Sequence, residues 1–145
     1  MDQKNSNLLP LGYLIGRTAK RIQQKLEHTF KQAGYEVTHE QWTVLNSLWR
    51  KDGLSQRTIS RLTNKDETSL SRVLNTMVKH QLIIRIPCPT DRRIKQIFLT
   101  EQAKKIQAHL VQLTEALNNH LVSHLDEDEQ LVFIQTLDKI YKIVK

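Results

Sequence analysis

Residues 62–100, LTNKDETSLSRVLNTMVKHQLIIRIPCPTDRRIKQIFLT, form the stretch that decides the fold. Asp66 is a candidate N-cap for a helix, since an aspartate side chain can accept from the free N–H groups of a first turn. The apolar residues behind it recur at helical spacing: Leu70, Val73, Leu74 and Met77. Two short β-prone runs follow, 82–86 and 94–99, on either side of the turn 87–91, which contains two prolines and an aspartate. The stretch therefore predicts a helix followed by a β-hairpin.

A short helix is predicted directly before this stretch. Ser55 is a candidate N-cap for it, with Ile59 and Leu62 turned inward, and a tight connection at Asn64-Lys65 leads to the second helix. A short helix, a tight turn, a second helix and a hairpin carrying basic residues together describe a winged helix-turn-helix.

The flanking segments are helical. Residues 11–30 place an apolar residue every three or four positions, and Gly34 follows as a helix stop. Thr38 with Gln41, and Asp126 with Glu129, fit capping boxes at the start of two further helices, and Thr100 caps a long one. The predicted fold class is mainly α with a small β-hairpin, in the order four helices, hairpin, two helices.

The charge of the chain is concentrated in its middle third. The whole chain has 22 Lys+Arg against 15 Asp+Glu, a net charge of +7, and the 11 basic and 4 acidic residues of 50–95 account for all of this excess. A local basic field is typical of proteins that bind polyanions, although a solvated charged surface is the simpler interpretation of charge alone.

The winged helix-turn-helix assigns a DNA contact to particular side chains. We expect the N-terminal part of the helix that starts at Asp66 to enter the major groove, and the start of the preceding short helix to contact phosphates. The hairpin would reach the minor groove, where Asp91 would orient an arginine. The predicted DNA-binding residues are Ser55, Gln56, Thr68, Ser69, Ser71, Arg72, Arg92, Arg93 and Lys95. The alternatives are that Thr68 and Ser69 only cap the helix, that Arg72 only pairs with Glu67 or another acid, and that Asp91-Arg92-Arg93 is an ordinary polar turn.

The same stretch resembles the multiple-antibiotic-resistance regulator (MarR) family, whose hairpin reads Asp-x-Arg, a short strand, and then Leu-Thr opening a long helix. Asp91, Arg93, Leu99 and Thr100 stand at those places. Gln81 departs from the family, which usually has glycine there, so Gln81 would have to adopt the left-handed conformation or end the helix differently.

The resemblance implies a homodimeric transcription factor that releases DNA when a small aromatic or anionic ligand binds. It implies one domain over 1–145, with a dimerisation region at 1–34 and 101–145, and a DNA-binding lobe at 38–100 whose wing covers about 84–99. It also implies an effector site, for which the candidates are Tyr13, Arg17, His39 and Trp42. The alternative is that Trp42 belongs to the core and Arg17 to the surface.

Dimerisation also follows from the residues themselves, because the terminal helices carry apolar stripes that one small winged helix has few elements to cover. A two-fold dimer places two recognition helices about 34–36 Å apart, one turn of DNA, and predicts a pseudo-palindromic operator.

Other classes of function are disfavoured. There is no phosphate-binding glycine loop, nucleophile elbow or His-Glu-x-x-His motif, so we predict neither an enzyme nor a cofactor. His120 and His124 share a helix face, as two metal ligands could, but the sequence shows no third or fourth ligand for them. Cys88 lies near arginines that would lower its pKa and make it reactive. A metal-responsive regulator, a redox-responsive regulator and a winged helix that binds protein are therefore the alternatives. No membrane segment and no signal peptide at Met1–Pro10 are predicted, and the single cysteine fits the cytoplasm.

Overall fold

The structure, a computed structural model, describes residues 10–145. Residues 1–9, which include most of the segment where no signal peptide was predicted, lie outside the described residues. The helices are α1 (Leu11–Gln32), α2 (His39–Arg50), α3 (Gln56–Thr63), α4 (Glu67–Lys79), α5 (Glu101–Val122) and α6 (Glu127–Val144), and the strands are β1 (Leu54–Ser55), β2 (Ile83–Pro87) and β3 (Lys95–Leu99). The mainly helical class and the order of the helices around one hairpin are confirmed.

The sheet has one strand that the sequence did not predict. Its order is β1-β3-β2, all antiparallel, so that β3 is central and β2 is an edge strand. β1 pairs Leu54 with Ile97 through only two residues, too few to show an alternating pattern. It is held next to β3 because Asp52 Oδ1 accepts a hydrogen bond from the Leu99 N–H at 2.9 Å.

The predicted helix starts are confirmed by their caps. Thr38 with Gln41 and Asp126 with Glu129 form complete capping boxes. The Thr100 hydroxyl accepts from the Ala103 N–H at the start of α5. Of the two possibilities for Gln81, the structure has the first, since this residue adopts a left-handed φ of 60° where the family usually has glycine.

The chain divides into two compact units, one ending at Leu110 and the other covering Val111–Lys145. The core of the first unit is formed mainly by α2, α4 and the sheet, and its fully buried side chains include Phe30, Leu45, Leu48, Ile59, Leu70, Leu74, Met77, Ile83 and Ile97. The prediction that Leu62 turns inward is wrong, since Leu62 is 63% exposed. It lines an open cavity between α2 and α3, and only Ile59 of α3 reaches the core.

The second unit is much less buried. No residue of α6 is buried, and apolar side chains such as Phe133 and Ile134 are more than half exposed. Of the helices in residues 10–145, none combines the length and apolar character needed to span a bilayer.

Candidate nucleic-acid interface

The connection between α3 and α4 is fixed by its own hydrogen bonds. Asn64 adopts a left-handed φ of 53°, which asparagine tolerates better than most residues. The Lys65 N–H donates to the Ser60 carbonyl oxygen at 3.1 Å, and the Ser60 hydroxyl donates to the Lys65 carbonyl oxygen. The Lys65 ammonium also contacts Glu40 Oε1 of α2 at 2.8 Å. These contacts set the direction in which α4 leaves α3.

Asp66 begins α4 as predicted. Its carboxylate accepts from the Ser69 N–H at 2.8 Å and from the Ser69 hydroxyl at 2.9 Å. These hydrogen bonds, that of the backbone N–H first, hold the pKa of Asp66 below its ordinary value, because they stabilise the charged form. Ser69 therefore has a capping role in the free protein, which agrees with the alternative interpretation of that residue.

The other predicted residues of α4 form a surface row. Thr68 and Arg72 are exposed, and Ser71 is half-buried. In the part of the chain that the structure describes, Arg72 makes no ion pair, so the predicted alternative of a bridge to Glu67 is not observed. The guanidinium of Arg72 is thus available to an anion outside the chain.

The tip of the hairpin is organised around Asp91. Its two carboxylate oxygens accept from Nε and Nη2 of Arg93 at 3.2 and 3.4 Å, and Oδ1 also accepts from the Arg93 N–H. The Arg93 side chain is nevertheless 91% exposed. The turn is closed by the Cys88 N–H, which donates to the Ile94 carbonyl oxygen at 2.8 Å. Asp91 therefore holds an arginine that still projects from the tip, beside the exposed Arg92.

A cavity of about 320 Å³ joins the start of α3 to the hairpin. It brings together four predicted residues, Ser55, Gln56, Arg93 and Lys95, and excludes the predicted residues of α4 and Arg92. Its remaining lining residues are Arg57, Glu67 and Ile94. Sequence reasoning counted Arg57 among the basic residues but did not assign it to the site, although its position next to Gln56 in the first turn of α3 was a usable signal. Three cations and a helix start around one cavity suit a phosphate group.

Arg85 is a second residue that sequence reasoning missed. It lies in the middle of β2, and its guanidinium donates to Asn75 Oδ1 at 2.5 Å and to the Ser71 carbonyl oxygen at 3.2 Å, both on α4. Its Nε is buried and has no hydrogen-bond partner among residues 10–145. Arg85 thus connects the hairpin to α4 and does not extend into solvent. The alternation of the strand could have indicated which way it points, but not what it contacts.

The four predicted effector residues form two separate pairs. Arg17 lies over the ring of Tyr13, 5.7 Å from its centroid, and both side chains are exposed. His39 and Trp42 line a cavity of about 440 Å³ between α2 and α3, and neither Tyr13 nor Arg17 borders it. Arg50 and Lys51 complete a basic wall of this cavity.

His39 and Trp42 differ in their surroundings. Burial lowers the pKa of His39, and the nearby carboxylates of Glu27 and Glu40 oppose that shift. Trp42 is only 9% exposed and packs against the rings of Phe30 and Trp49, at 5.5 and 5.4 Å between centroids. Trp42 is therefore a core residue with one edge at the cavity.

The histidine pair and the cysteine have local partners. The rings of His120 and His124 pack edge to face, with 4.8 Å between their centroids. In residues 10–145, no group of three His, Cys, Asp or Glu side chains is arranged to hold a metal ion. The pKa of Cys88 is lowered, as predicted, but the cause is hydrogen bonding with Thr90, whose hydroxyl is 3.2 Å from Sγ, and not the arginines.

Comparison with known proteins gives one consistent result. Residues 37–95 match the model of the MarR family. The chain is 25% identical to a protein in the crystal structure of an S. aureus MepR-DNA complex, with a TM-score of 0.84 over 94% of this chain and 99% of that one. It is also 25% identical to MarR of E. coli in its apo form (TM-score 0.72, covering 92% and 97%) and to the PcaV transcriptional regulator of Streptomyces coelicolor (TM-score 0.72, covering 89% and 96%).

Proposed function

Because the chain belongs to the MarR family of winged helix transcriptional regulators, it is a DNA-binding protein of a non-enzymatic family, and we propose that it acts as a homodimer on a pseudo-palindromic operator. We propose further that a small organic anion modulates its affinity for that operator. A DNA-bound regulator of this kind would work in the cytoplasm.

The observation that carries the proposal is the cationic cavity between the start of α3 and the hairpin. Arg57, Arg93 and Lys95 surround a space large enough for a phosphate group. The N-terminal end of α3, which borders the same space, carries a partial positive charge that stabilises a nearby anion. Glu67 borders the same space, so a phosphate would bind nearer the three cations. One phosphate held there would connect the helix-turn-helix to the wing.

The remaining contacts divide by groove. α4 would enter the major groove with its exposed row, while Arg93, oriented by Asp91, would insert into the minor groove, where a narrow groove attracts a guanidinium. Ser69, already engaged by Asp66, would contact DNA only as an acceptor. The proposed DNA-binding residues are Ser55, Gln56, Arg57, Thr68, Ser69, Ser71, Arg72, Arg92, Arg93 and Lys95.

The second copy would cover α6. Leu125, Val132 and Phe133 line an apolar groove of about 680 Å³ in the second unit, and Ile134, Tyr141 and Ile143 are exposed nearby along the helix. An apolar surface of this extent on one helix is typical of a protein–protein interface. We propose that the N- and C-terminal helices of two copies bury these surfaces together.

The effector would bind between α2 and α3. That cavity combines the edge of the Trp42 indole with His39 and the two cations Arg50 and Lys51, which suits an aromatic carboxylate. Since its walls include residues of α2 together with Leu62 and Thr63 of α3, a bound anion would contact the helix-turn-helix directly. Tyr13 and Arg17 would take part only if a partner copy or a conformational change brought them to the cavity.

The DNA part is tested by fluorescence anisotropy with the duplex immediately upstream of this protein's coding region, at two salt concentrations, with random duplex as competitor. We expect binding that survives the competitor and weakens steeply with salt as counterions are released. Arg57→Gln, in the cavity, should weaken operator binding and reduce its dependence on salt, whereas Arg61→Gln, an exposed arginine of the same helix outside the cavity, is the charge-matched control and should bind more nearly as the wild type does. Equal binding of the specific and random duplexes by the wild-type chain would contradict the proposal for that operator.

The effector part is tested by thermal unfolding with benzoate, with the neutral benzamide as the ligand control. We expect benzoate to raise the melting temperature and to weaken operator binding, and Arg50→Gln to abolish both effects. No shift with benzoate, or the same shift with benzamide, would contradict an anion site between α2 and α3.

A further inference from the structure

Arg85 has a consequence for the hydrogen bonds that α4 can offer to DNA. Its guanidinium reaches two acceptors one helical turn apart, the Ser71 carbonyl oxygen and the side chain of Asn75. A guanidinium has five donors and no acceptor. The atom of Asn75 that faces Arg85 must therefore be the amide oxygen, and the orientation of this amide follows from chemistry alone.

Asn75 is left with its amide nitrogen and two N–H donors. The residue is exposed, and it lies seven positions after Thr68 and four after Ser71, so it continues the exposed row of α4 by one further turn. Arg85 is half-buried behind it. The Asn75 oxygen is thus held toward Arg85, which directs the two N–H donors of the amide away from it.

We propose that Asn75 is a specificity-determining residue that donates to a base acceptor in the major groove, and that Arg85 is the positioning residue that fixes this polarity. The inference rests on the proposed function, in which α4 enters the major groove. A free asparagine selects adenine because its oxygen and nitrogen pair together with the N6 amino group and N7. Here the oxygen is turned toward Arg85, so a base edge that offers only a donor, that of cytosine with its N4 amino group, is disfavoured. Guanine (N7 and O6), adenine (N7) and thymine (O4) each provide an acceptor for the Asn75 N–H.

The test is a binding-site selection from a random duplex library, carried out with the wild-type chain, Asn75→Leu and Arg85→Met, followed by anisotropy on the enriched sequences. We expect the wild type to exclude cytosine at one position of each half-site. Asn75→Leu should lose about tenfold of the discrimination at that position and leave the other positions unchanged. Arg85→Met frees the amide oxygen to accept from the N4 amino group of cytosine, so it should admit cytosine there.

Arg85→Lys separates positioning from general structural support. A lysine ammonium is also a pure donor, so it can still engage the Asn75 oxygen, although it cannot reach both acceptors as the planar fork does. We expect Arg85→Lys to keep the exclusion of cytosine that Arg85→Met loses, even if both variants melt at a lower temperature.

The outcomes distinguish the inference from the function beneath it. If the wild type enriches no sequence, the proposed function fails. If the wild type enriches a site and Asn75→Leu enriches the same bases with the same affinity, or binds every sequence equally more weakly, Asn75 does not read a base and the inference is overturned. If Arg85→Met keeps the wild-type preference, Arg85 has no positioning role.

Discussion

α4 and α6 begin in the same way and end in opposite environments. Both start from an aspartate N-cap, Asp66 and Asp126, whose carboxylate accepts from a backbone N–H of the first turn at 2.8 Å. Both carry an apolar stripe at helical spacing. α4 buries Leu70, Leu74 and Met77 completely, whereas α6 buries none of its residues.

The difference shows what a local pattern can and cannot specify. Capping and periodicity depend on residues a few positions apart, so they identify both helices equally well. What covers the stripe depends on the rest of the chain. α4 packs against α2, α3 and β2 of its own unit, and α6 has no comparable cover in the residues described. The stripe of α4 therefore stabilises the fold, and we attribute the stripe of α6 to association.

The largest expected effect comes from the buried stripe. Leu74→Ala removes a fully buried side chain and leaves a cavity, so we expect a loss of about 2–5 kcal/mol in the free energy of unfolding. Denaturant unfolding measures it, and the loss should not depend on protein concentration. Leu131→Ala, a matched change at an exposed position of α6, should cost far less in the isolated chain. Equal losses would remove the distinction between the two helices.

Ile134→Glu tests the exposed stripe. Ile134 is 65% exposed, so a glutamate there costs the isolated chain little, but it would bury a charge in an interface between two copies. We expect the mass in light scattering to fall from about twice to once the 17.0 kDa of one chain. Operator affinity should fall by about 100-fold, because a monomer contacts one half-site only. A wild-type protein that is already monomeric would contradict the interpretation of α6.

The outer surface of α4 and the hairpin beside it provide the next prediction. Arg93→Ala removes an exposed guanidinium from the wing, and we expect operator affinity to fall by about tenfold, with the slope of affinity against salt reduced by about one. Asp91→Asn keeps the cation and weakens its orientation, so it should lose less affinity and leave the salt slope unchanged. If both variants bind as the wild type does, the wing does not contact DNA.

The sequence predicted the parts of this site that depend on neighbours in the chain. Ser55, Asp66, the turn at Asn64 and the pairing of Asp91 with Arg93 involve residues at most five positions apart, and hydrophobic spacing predicted the helices around them. Residues joined across the fold were not predicted. Arg57 and Lys95 line the same cavity only because the hairpin packs next to α3. Arg85 and Asn75 form their hydrogen bond only because β2 packs against α4.

The four predicted effector residues lie as two separate pairs in one copy of the chain, which the sequence could not show for the same reason. Tyr13 and Arg17 are neighbours on α1, and His39 and Trp42 are neighbours on α2, so each pair shares a helix face. Nothing in the spacing specifies how the two pairs approach each other. The inward prediction for Leu62 was wrong on similar grounds, because helical spacing alone does not show that the cavity between α2 and α3 is open.

The cap of α4 gives a prediction about pH. The pKa of Asp66 is lowered in the folded chain by hydrogen bonds from Ser69, so the folded state favours the charged carboxylate more than the unfolded state does. Its contribution to stability is therefore present above its ordinary value of 3.8 and is lost as the pH falls through the lower folded value. We expect Asp66→Ala to melt at a lower temperature than the wild type at pH 7. The difference should shrink at pH 3, whereas a constant difference would contradict the assignment.

The smallest expected effect is at the end of α4, where Gln81 adopts a left-handed φ of 60°. A side chain there costs about 1–2 kcal/mol, and glycine avoids this cost but has more conformational freedom to lose on folding. We expect Gln81→Gly to stabilise the chain by roughly 0.5 kcal/mol. Gln107→Gly, inside α5, is the matched control and should destabilise by about 1 kcal/mol, because φ is negative there in any right-handed helix. Thermal unfolding compares the two, and a loss of stability in Gln81→Gly equal to that of the control would mean that the side chain of Gln81 supports the turn into β2.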